Sequence, residues 1–198
     1  HPGKLFPYYG EYGTMPGPPL DMKAHPGVMP ALVNIYCQMH DINDPNCAKN
    51  VESRRRLQLW RGLANQLMVY EWYSNTSYCF PRTYLYAPRI KTYKDIGVMG
   101  YSGEILSRFP ETELALYVTS KMLWDADQDW KGIVDEFLHQ YFGPAGQEMK
   151  GYYDDVSSVR NGLPCSFTSK NTTAYWTAQL LAKLRHHLSV AMDEVSDP

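Results

Sequence analysis

Carboxylic acids end several short apolar runs in this chain. Asp41, Glu71 and Glu104 each close such a run, and Glu11 closes a fourth near the amino terminus. Neighbouring strands of a sheet lie about 4.8 Å apart, so acids at their ends can reach the roughly 5–9.5 Å that separates the two carboxyl groups of glycoside hydrolases. We therefore predict that Asp41, Glu71 and Glu104 are catalytic carboxylates of a carbohydrate-processing site.

Aromatic side chains accompany these acids. Such rings offer flat apolar surfaces on which the faces of sugars can stack, while nearby polar groups bind the hydroxyls. The predicted substrate-binding residues are Glu11, Tyr9, His40, Trp72, Tyr73 and Tyr101. Two plainer interpretations stay open at this point: tyrosines that fill a core, and acids that pair with an arginine or a backbone amide.

Parallel strands are needed to bring these acids together, because only then do their carboxyl ends meet at one edge of the sheet. Apolar runs predict strands over residues 4–10, 31–38, 67–73 and 97–102, the first of them buried. Helical periodicity predicts helices over residues 51–66, with Asn50 as the N-cap, and over residues 87–95. This alternation is typical of parallel βα units.

The hydrophobic period becomes helical from residue 111 onward. We predict a helix over Glu111–Trp124, a second capped by Asp125 or Asp127, a third ending near Val159, and an amphipathic helix over Tyr175–Val195. Gly143 and Pro144 mark a boundary, since glycine favours the position past a helix end and proline favours the first turn of the next helix.

Cysteine and histidine offer a second kind of chemistry. The four cysteines, Cys37, Cys47, Cys79 and Cys165, permit two disulfides or four free thiols, and Cys37 and Cys47 are near enough in sequence to staple one loop. The spacing of Cys37 and His40 is compatible with a metal, yet no second ligand pair accompanies it. We therefore predict no metal, and no cofactor, because dinucleotide and phosphate-binding motifs are missing.

The composition is that of a globular protein. The chain has 198 residues, of which 44% are hydrophobic and 20% charged, and its net charge is −2. So small a charge gives no reason to expect nucleic acid or an anionic membrane as a partner, and no apolar stretch is long enough to span a bilayer. The chain opens at His1 without a methionine, which leads us to expect a piece of a longer protein.

Further motifs carry a resemblance to a known family. They are Val69–Tyr73 (VYEWY), Ile96–Gly100 (IGVMG), Leu116-Tyr117, Lys121–Asp125 (KMLWD), Asp135–Phe137 and Tyr141–Ala145 (YFGPA). Over roughly residues 1–155 the chain resembles a bacterial family of unknown function that forms the later part of (β/α)8 proteins. Those proteins are similar to α-glucuronidases and β-N-acetylhexosaminidases.

The resemblance implies an α/β fold: the C-terminal half of a (β/α)8 (TIM-like) barrel over residues 1–125, followed by an α-helical extension over residues 126–198. By position, Asp41 and Glu71 are similar to the water-activating acids of α-glucuronidases, whose general acid comes from an earlier strand. The resemblance therefore implies a glycoside hydrolase fragment without its upstream general acid, whose partner is the missing upstream half, in the same or another chain.

The function that we expect is hydrolysis of a complex polysaccharide or glycan, in a secreted or periplasmic location. One alternative is a non-catalytic carbohydrate-binding or scaffold module, in which the acids only accept hydrogen bonds. Another is a structural subunit, whose mark is an exposed apolar stripe on Trp176–Met192.

Overall fold

The computed structural model describes residues 3–12, 18, 21–33, 37–72, 83–104, 110–165 and 173–196. Within these ranges the strands are β1 Phe6–Tyr12, β2 Val28–Val33, β3 Met68–Trp72 and β4 Gly100–Glu104. The helices are α1 Ala48–Leu63, α2 Thr83–Ile96, α3 Pro110–Trp124, α4 Trp130–Phe142, α5 Gly146–Ser158 and α6 Ala178–Ser196. The fold is mixed α/β, as the sequence predicts.

One parallel sheet contains all the described strands. Its order is β1-β2-β3-β4, so neighbours in the sheet follow the order of the chain. Leu32 of β2 and Val69 of β3 pack on Leu57 of α1 and Tyr93 of α2 in one buried cluster. Helices α1 and α2 therefore cover the same face of the sheet, as right-handed βαβ crossovers require.

Two strand predictions need correction. The first strand was expected to be buried, but Phe6, Tyr8 and Tyr9 are exposed, because β1 is the edge of the described sheet and pairs only with β2. The fourth strand was expected over residues 97–102 and instead begins at Gly100. Gly97, at φ 92°, and Val98 still bond to the carbonyl of Tyr93, so they complete the end of α2 before the strand can start.

The second and third strands also differ in their bounds. Strand β2 begins at Val28 and ends at Val33, while residues 37–40, which include part of the predicted 31–38 strand, form a loop with bends. Residues 34–36 lie outside the described ranges. Strand β3 agrees with the prediction to within one residue at each end. The difference in β2 matters because it moves Cys37 from a strand into the loop that also carries His40.

Helix starts were predicted less well than helix bodies. Helix α1 begins at Ala48 with Cys47 as its N-cap, so Asn50 lies inside the first turn. Helix α2 begins at Thr83, four residues before the predicted start at residue 87, and it passes through Pro88. Helix α4 is capped by Asp129, whose side chain accepts from the N–H of Lys131, rather than by Asp125 or Asp127.

The last helix divides its apolar residues between core and solvent. It begins at Ala178 after a 3-10 turn over Thr173–Tyr175, three residues later than predicted. Leu184 is buried, whereas Leu188 and Met192 are exposed. The stripe predicted over Trp176–Met192 is therefore exposed in its second half only. No helix of the described part of the chain is both long and apolar enough to cross a bilayer.

A second buried cluster joins α2 to α3, α4 and α5, with Leu114, Val118, Val134 and Leu138 at its centre. The predicted boundary at Gly143 is confirmed: Gly143 ends α4 at a positive φ of 56°, and Pro144 lies in the short 3-10 turn that follows. This turn lets α5 fold back against α4, where Gly146 contacts the preceding helix closely.

Replacing Gly146 by alanine is expected to lower the free energy of unfolding by about 1–3 kcal/mol, the usual range for overpacking. The new Cβ would lie 2.9 Å from both Cα of His139 and the carbonyl oxygen of Leu138, which are backbone atoms and cannot rotate away. Urea denaturation measures the change. The control is Gly62→Ala in α1, where the added Cβ meets nothing within 4 Å. Equal stability in the two variants would contradict this packing.

Candidate functional site

Glu71 is completely buried beneath helix α2. Its carboxylate accepts a hydrogen bond from the hydroxyl of Tyr93, and it lies 3.8 Å from a guanidinium nitrogen of Arg89. Both Glu71 and Arg89 have 0% of their side chains exposed. Arg89 also donates to the carbonyl of Cys37 at 3.2 Å, and its guanidinium lies 5.0 Å from the ring centre of Tyr86. The geometry is that of a structural acid paired with an arginine.

The alternation of side chains along β3 explains this placement. Successive residues of a strand point to opposite faces, so Glu71 shares its face with Val69. Val69 belongs to the cluster that packs on α1 and α2. Glu71 therefore faces the helices rather than the opposite face of the sheet. The sequence placed this acid correctly at the end of a strand but did not show which face it occupies.

Asp41 lies in the loop between β2 and α1, half-buried. One of its carboxylate oxygens accepts the backbone N–H of Asn43 at 2.7 Å, which closes a tight turn. Its charge also acts on Arg160, which follows α5. Burial is the main cause that lowers the pKa of Arg160 to about 10, with Arg89 adding to the decrease and Asp41 opposing it. Glu71 is therefore paired with Arg89, whereas Asp41 acts on Arg160 through its charge alone, and the charges of Arg89 and Arg160 oppose one another.

The opposite face of the sheet carries an aromatic pair. The rings of Tyr9 and Tyr70 meet edge to face with their centres 5.6 Å apart. They come from β1 and β3, and the small side chain of Ala31 on the intervening strand leaves room for the contact. Tyr9 is 57% exposed. Tyr70 was not predicted as a site residue, although the alternation along β3 opposite Val69 could have indicated its face.

The structure describes the remaining predicted site residues only in part. Tyr101 lies on the helix-covered face, with its ring 6.4 Å from that of Tyr93, so it packs in the core beneath α2. The backbone of β4 brings Glu104 into register with Trp72, at the carboxyl ends of their strands. Glu11 is in register with Leu32. The side chains of Glu11, Trp72 and Glu104, and all of Tyr73, lie outside the described part of the structure.

Three cysteines and one histidine form a cluster at the loop between β2 and α1, the loop that also carries Asp41. The ligand atoms of Cys37, His40, Cys47 and Cys165 all lie within 4.8 Å of one another. Cys37, Cys47 and Cys165 are free thiols, so the staple between Cys37 and Cys47 does not form as a disulfide. Burial first, and then the neighbouring Cys165, raise the pKa of Cys47 to about 12. Cys79 lies outside the described ranges.

The sequence did not predict this cluster because Cys165 is remote along the chain. It lies 118 residues after Cys47 and comes from the segment that follows α5. The spacing of Cys37 and His40 is visible in the sequence, but the second ligand pair exists only after β2, α1 and α5 have packed together. A local motif search has no means of finding such a pair.

These features define an α/β protein with a sequentially ordered parallel sheet, a helical layer on one face and a cysteine-histidine cluster at the junction with its last helices. A family model described as "Domain of unknown function (DUF4838)" matches residues 1–154. The chain belongs to that family, which confirms the predicted membership in a family of unknown function. No curated protein and no solved structure matches the chain significantly.

Proposed function

We propose that this chain is part of a (β/α)8 glycoside hydrolase that acts on a complex polysaccharide or glycan outside the cytoplasm. The sequential order of the parallel strands supports a barrel segment, because a barrel adds each strand beside the previous one. In a half barrel the missing strands would pair with the edges of the sheet, and the face without helices would line the interior. The upstream half, in the same or another chain, would close the barrel and supply the general acid.

The observation that carries the proposal is the contact between Tyr9 and Tyr70 on the face opposite the helices. In a barrel this face lines the interior, and the carboxyl ends of its strands surround the active site. The exposed ring of Tyr9, beside the half-buried ring of Tyr70, provides the flat apolar surface that a sugar ring requires. The pair therefore supports a carbohydrate as the ligand class.

The predicted catalytic acids take different parts in this proposal. Glu104, at the carboxyl end of β4 and in register with Trp72, is the acid that we propose to react. Asp41 would orient the substrate or hold Arg160, since it lies in the loop at the carboxyl end of β2. Glu71 would have a structural role between the sheet and α2, because its carboxylate already contacts Arg89 and Tyr93.

A second candidate function is a non-catalytic carbohydrate-binding module. The burial of Glu71 favours it, because that removes one of the three predicted catalytic carboxylates from contact with any substrate. Binding would then depend on Tyr9 and Tyr70 without any turnover. The two candidates differ in one measurable respect, which is product release in a chain that still binds.

The experiment compares Tyr70→Ala, Glu104→Gln and the unmodified chain, each with and without the upstream half, on a panel of neutral and uronic-acid polysaccharides. Tyr70→Ala is expected to weaken binding about tenfold through the lost ring contact. Glu104→Gln is expected to keep binding and lower turnover about 10²–10⁴-fold. The control is Tyr8→Ala, which removes a tyrosine that is as exposed as Tyr9 but lies on the opposite face of β1. Binding without any turnover favours the second candidate, and no binding at all contradicts both.

A further inference from the structure

Four side chains of the ligand types that zinc prefers converge at one point of the fold. Sγ of Cys37 lies 3.5 Å from Nδ1 of His40, and Sγ of Cys47 lies 2.6 Å from Sγ of Cys165. All four ligand atoms fit within 4.8 Å of one another. In a tetrahedral zinc site, bond lengths of about 2.3 Å to sulfur and about 2.0 Å to nitrogen separate the ligand atoms by about 3.5–3.8 Å. Small side-chain rotations would bring the cluster to this geometry.

The contact between Cys47 and Cys165 is compatible with two kinds of chemistry. Their Sγ atoms meet without the about 2.05 Å bond of a disulfide. With an oxidant they could form that bond, or they could lose their protons and bind a shared cation. The second kind of chemistry also explains why Cys37 and His40 point to the same place, which a disulfide does not need.

The surroundings of the cluster suit a metal ion. The backbone N–H of Met39 donates to Sγ of Cys37 at 3.4 Å, and such a bond stabilises a metal-bound thiolate. Asn50 holds the same loop, since it accepts from the N–H of Cys37 and donates to the carbonyl of His40, both at 3.1 Å. Cys47 is the N-cap of α1, where the helix dipole favours a negative charge.

We propose that Cys37, His40, Cys47 and Cys165 bind one structural zinc ion. Three sulfurs and one imidazole select zinc over calcium or magnesium, which prefer oxygen ligands. Four protein ligands fill a tetrahedral shell, so the ion has no open position for a substrate and its role is structural. The proposal gives His40 a role other than the predicted sugar contact.

The zinc ion would join two parts of the fold that the chain connects only distantly. Three ligands lie in the loop after β2 and at the start of α1, whereas Cys165 follows α5 and lies beyond the residues that the family model matches. Val156, Val159 and Leu163 pack around the cluster. The ion would thus fasten the loop that carries Asp41 to the helical region. This proposal does not depend on the proposed function.

The test measures metal in the full chain, purified without a histidine tag and under reducing conditions. We expect one zinc ion per chain by elemental analysis, and, after exchange with Co²⁺, the visible spectrum of a tetrahedral site with thiolate ligands. Cys165→Ser and His40→Asn should lose zinc affinity by more than the about 10–100-fold that an outer-shell change costs. The control is His186→Asn, an exposed histidine on α6, which should retain the ion.

A further variant protects the test against misfolding. His40→Cys keeps a ligand at the same position, so it should retain zinc and shift the cobalt bands toward the pattern of four thiolates. The proposal would be overturned if the purified chain contained no zinc and its cobalt spectrum were that of an octahedral site. So would a disulfide between Cys47 and Cys165, detected by thiol alkylation and mass spectrometry in chain isolated with zinc present.

Discussion

Replacing Arg89 by methionine is expected to lower the free energy of unfolding by about 3–5 kcal/mol, the cost of leaving one partner of a buried ion pair without the other. The carboxylate of Glu71 would stay buried with the hydroxyl of Tyr93 but without its cation. The carbonyl of Cys37 would also lose the bond that Arg89 donates at 3.2 Å. Methionine keeps the unbranched apolar stem of the side chain, so the loss reports the guanidinium group, through its charge and its hydrogen bonds.

Urea denaturation measures this effect, and three further variants make it specific. The double variant Glu71→Gln, Arg89→Met removes both charges and should recover part of the loss. Comparison with the single variants Glu71→Gln and Arg89→Met gives the coupling between the two residues. Arg55→Met breaks the exposed pair with Glu52, where the two side chains are 56% and 42% exposed, and should leave the transition almost unchanged. A loss in Arg89→Met no larger than that control would contradict the buried pair.

The same variants separate two roles of Glu71. If Glu71 supports the fold, Glu71→Gln should lower stability, and any loss of turnover should follow the folded fraction. If it reacts with a substrate, Glu71→Gln should abolish turnover and leave the denaturation midpoint unchanged. The geometry beneath α2 leads us to expect the first result.

Replacing Asn50 by alanine is expected to cost about 3 kcal/mol of stability, from about 1 kcal/mol for each of three hydrogen bonds, one buried and two partly buried. The side chain of Asn50 accepts from the N–H of Cys37 at 3.1 Å. Its amide nitrogen donates to the carbonyls of His40 at 3.1 Å and Asp41 at 2.8 Å. Alanine would leave these backbone groups without that partner at a site where Asn50 itself has no exposed surface.

Thermal and urea unfolding measure the cost, with Asn65→Ala as the exposed control. The stability of Asn50→Asp should fall between those of Asn50→Ala and Asn65→Ala, because aspartate keeps the acceptor for the N–H of Cys37 and loses the donor to the carbonyls of His40 and Asp41. If zinc binds as proposed, Asn50→Ala should also weaken zinc affinity about 10–100-fold, as the loss of an outer-shell contact does. Full stability in Asn50→Ala would show that the loop is held by other contacts.

Much of the fold could be predicted from local patterns. Apolar runs located the four strands to within a few residues, and the helical period identified every described helix from α3 to α6. The errors lie at element ends, where a few hydrogen bonds decide the boundary: Gly97 and Val98 still bond to α2, and Cys47 rather than Asn50 caps α1. Patterns of hydrophobicity average over several residues and do not register such single bonds.

The sequence by itself determined that parallel βα units precede a set of helices, and that acids stand near the strand ends. These properties follow from side-chain periodicity and from residue types that are adjacent in the chain. Only the tertiary structure decided that Glu71 faces Arg89, that Tyr70 meets Tyr9, and that Cys165 joins Cys37, His40 and Cys47. The reason is that the face of the sheet on which a side chain lies depends on strand register and crossover direction. The contact between Cys47 and Cys165, 118 residues apart, depends on how the intervening helices and strands pack.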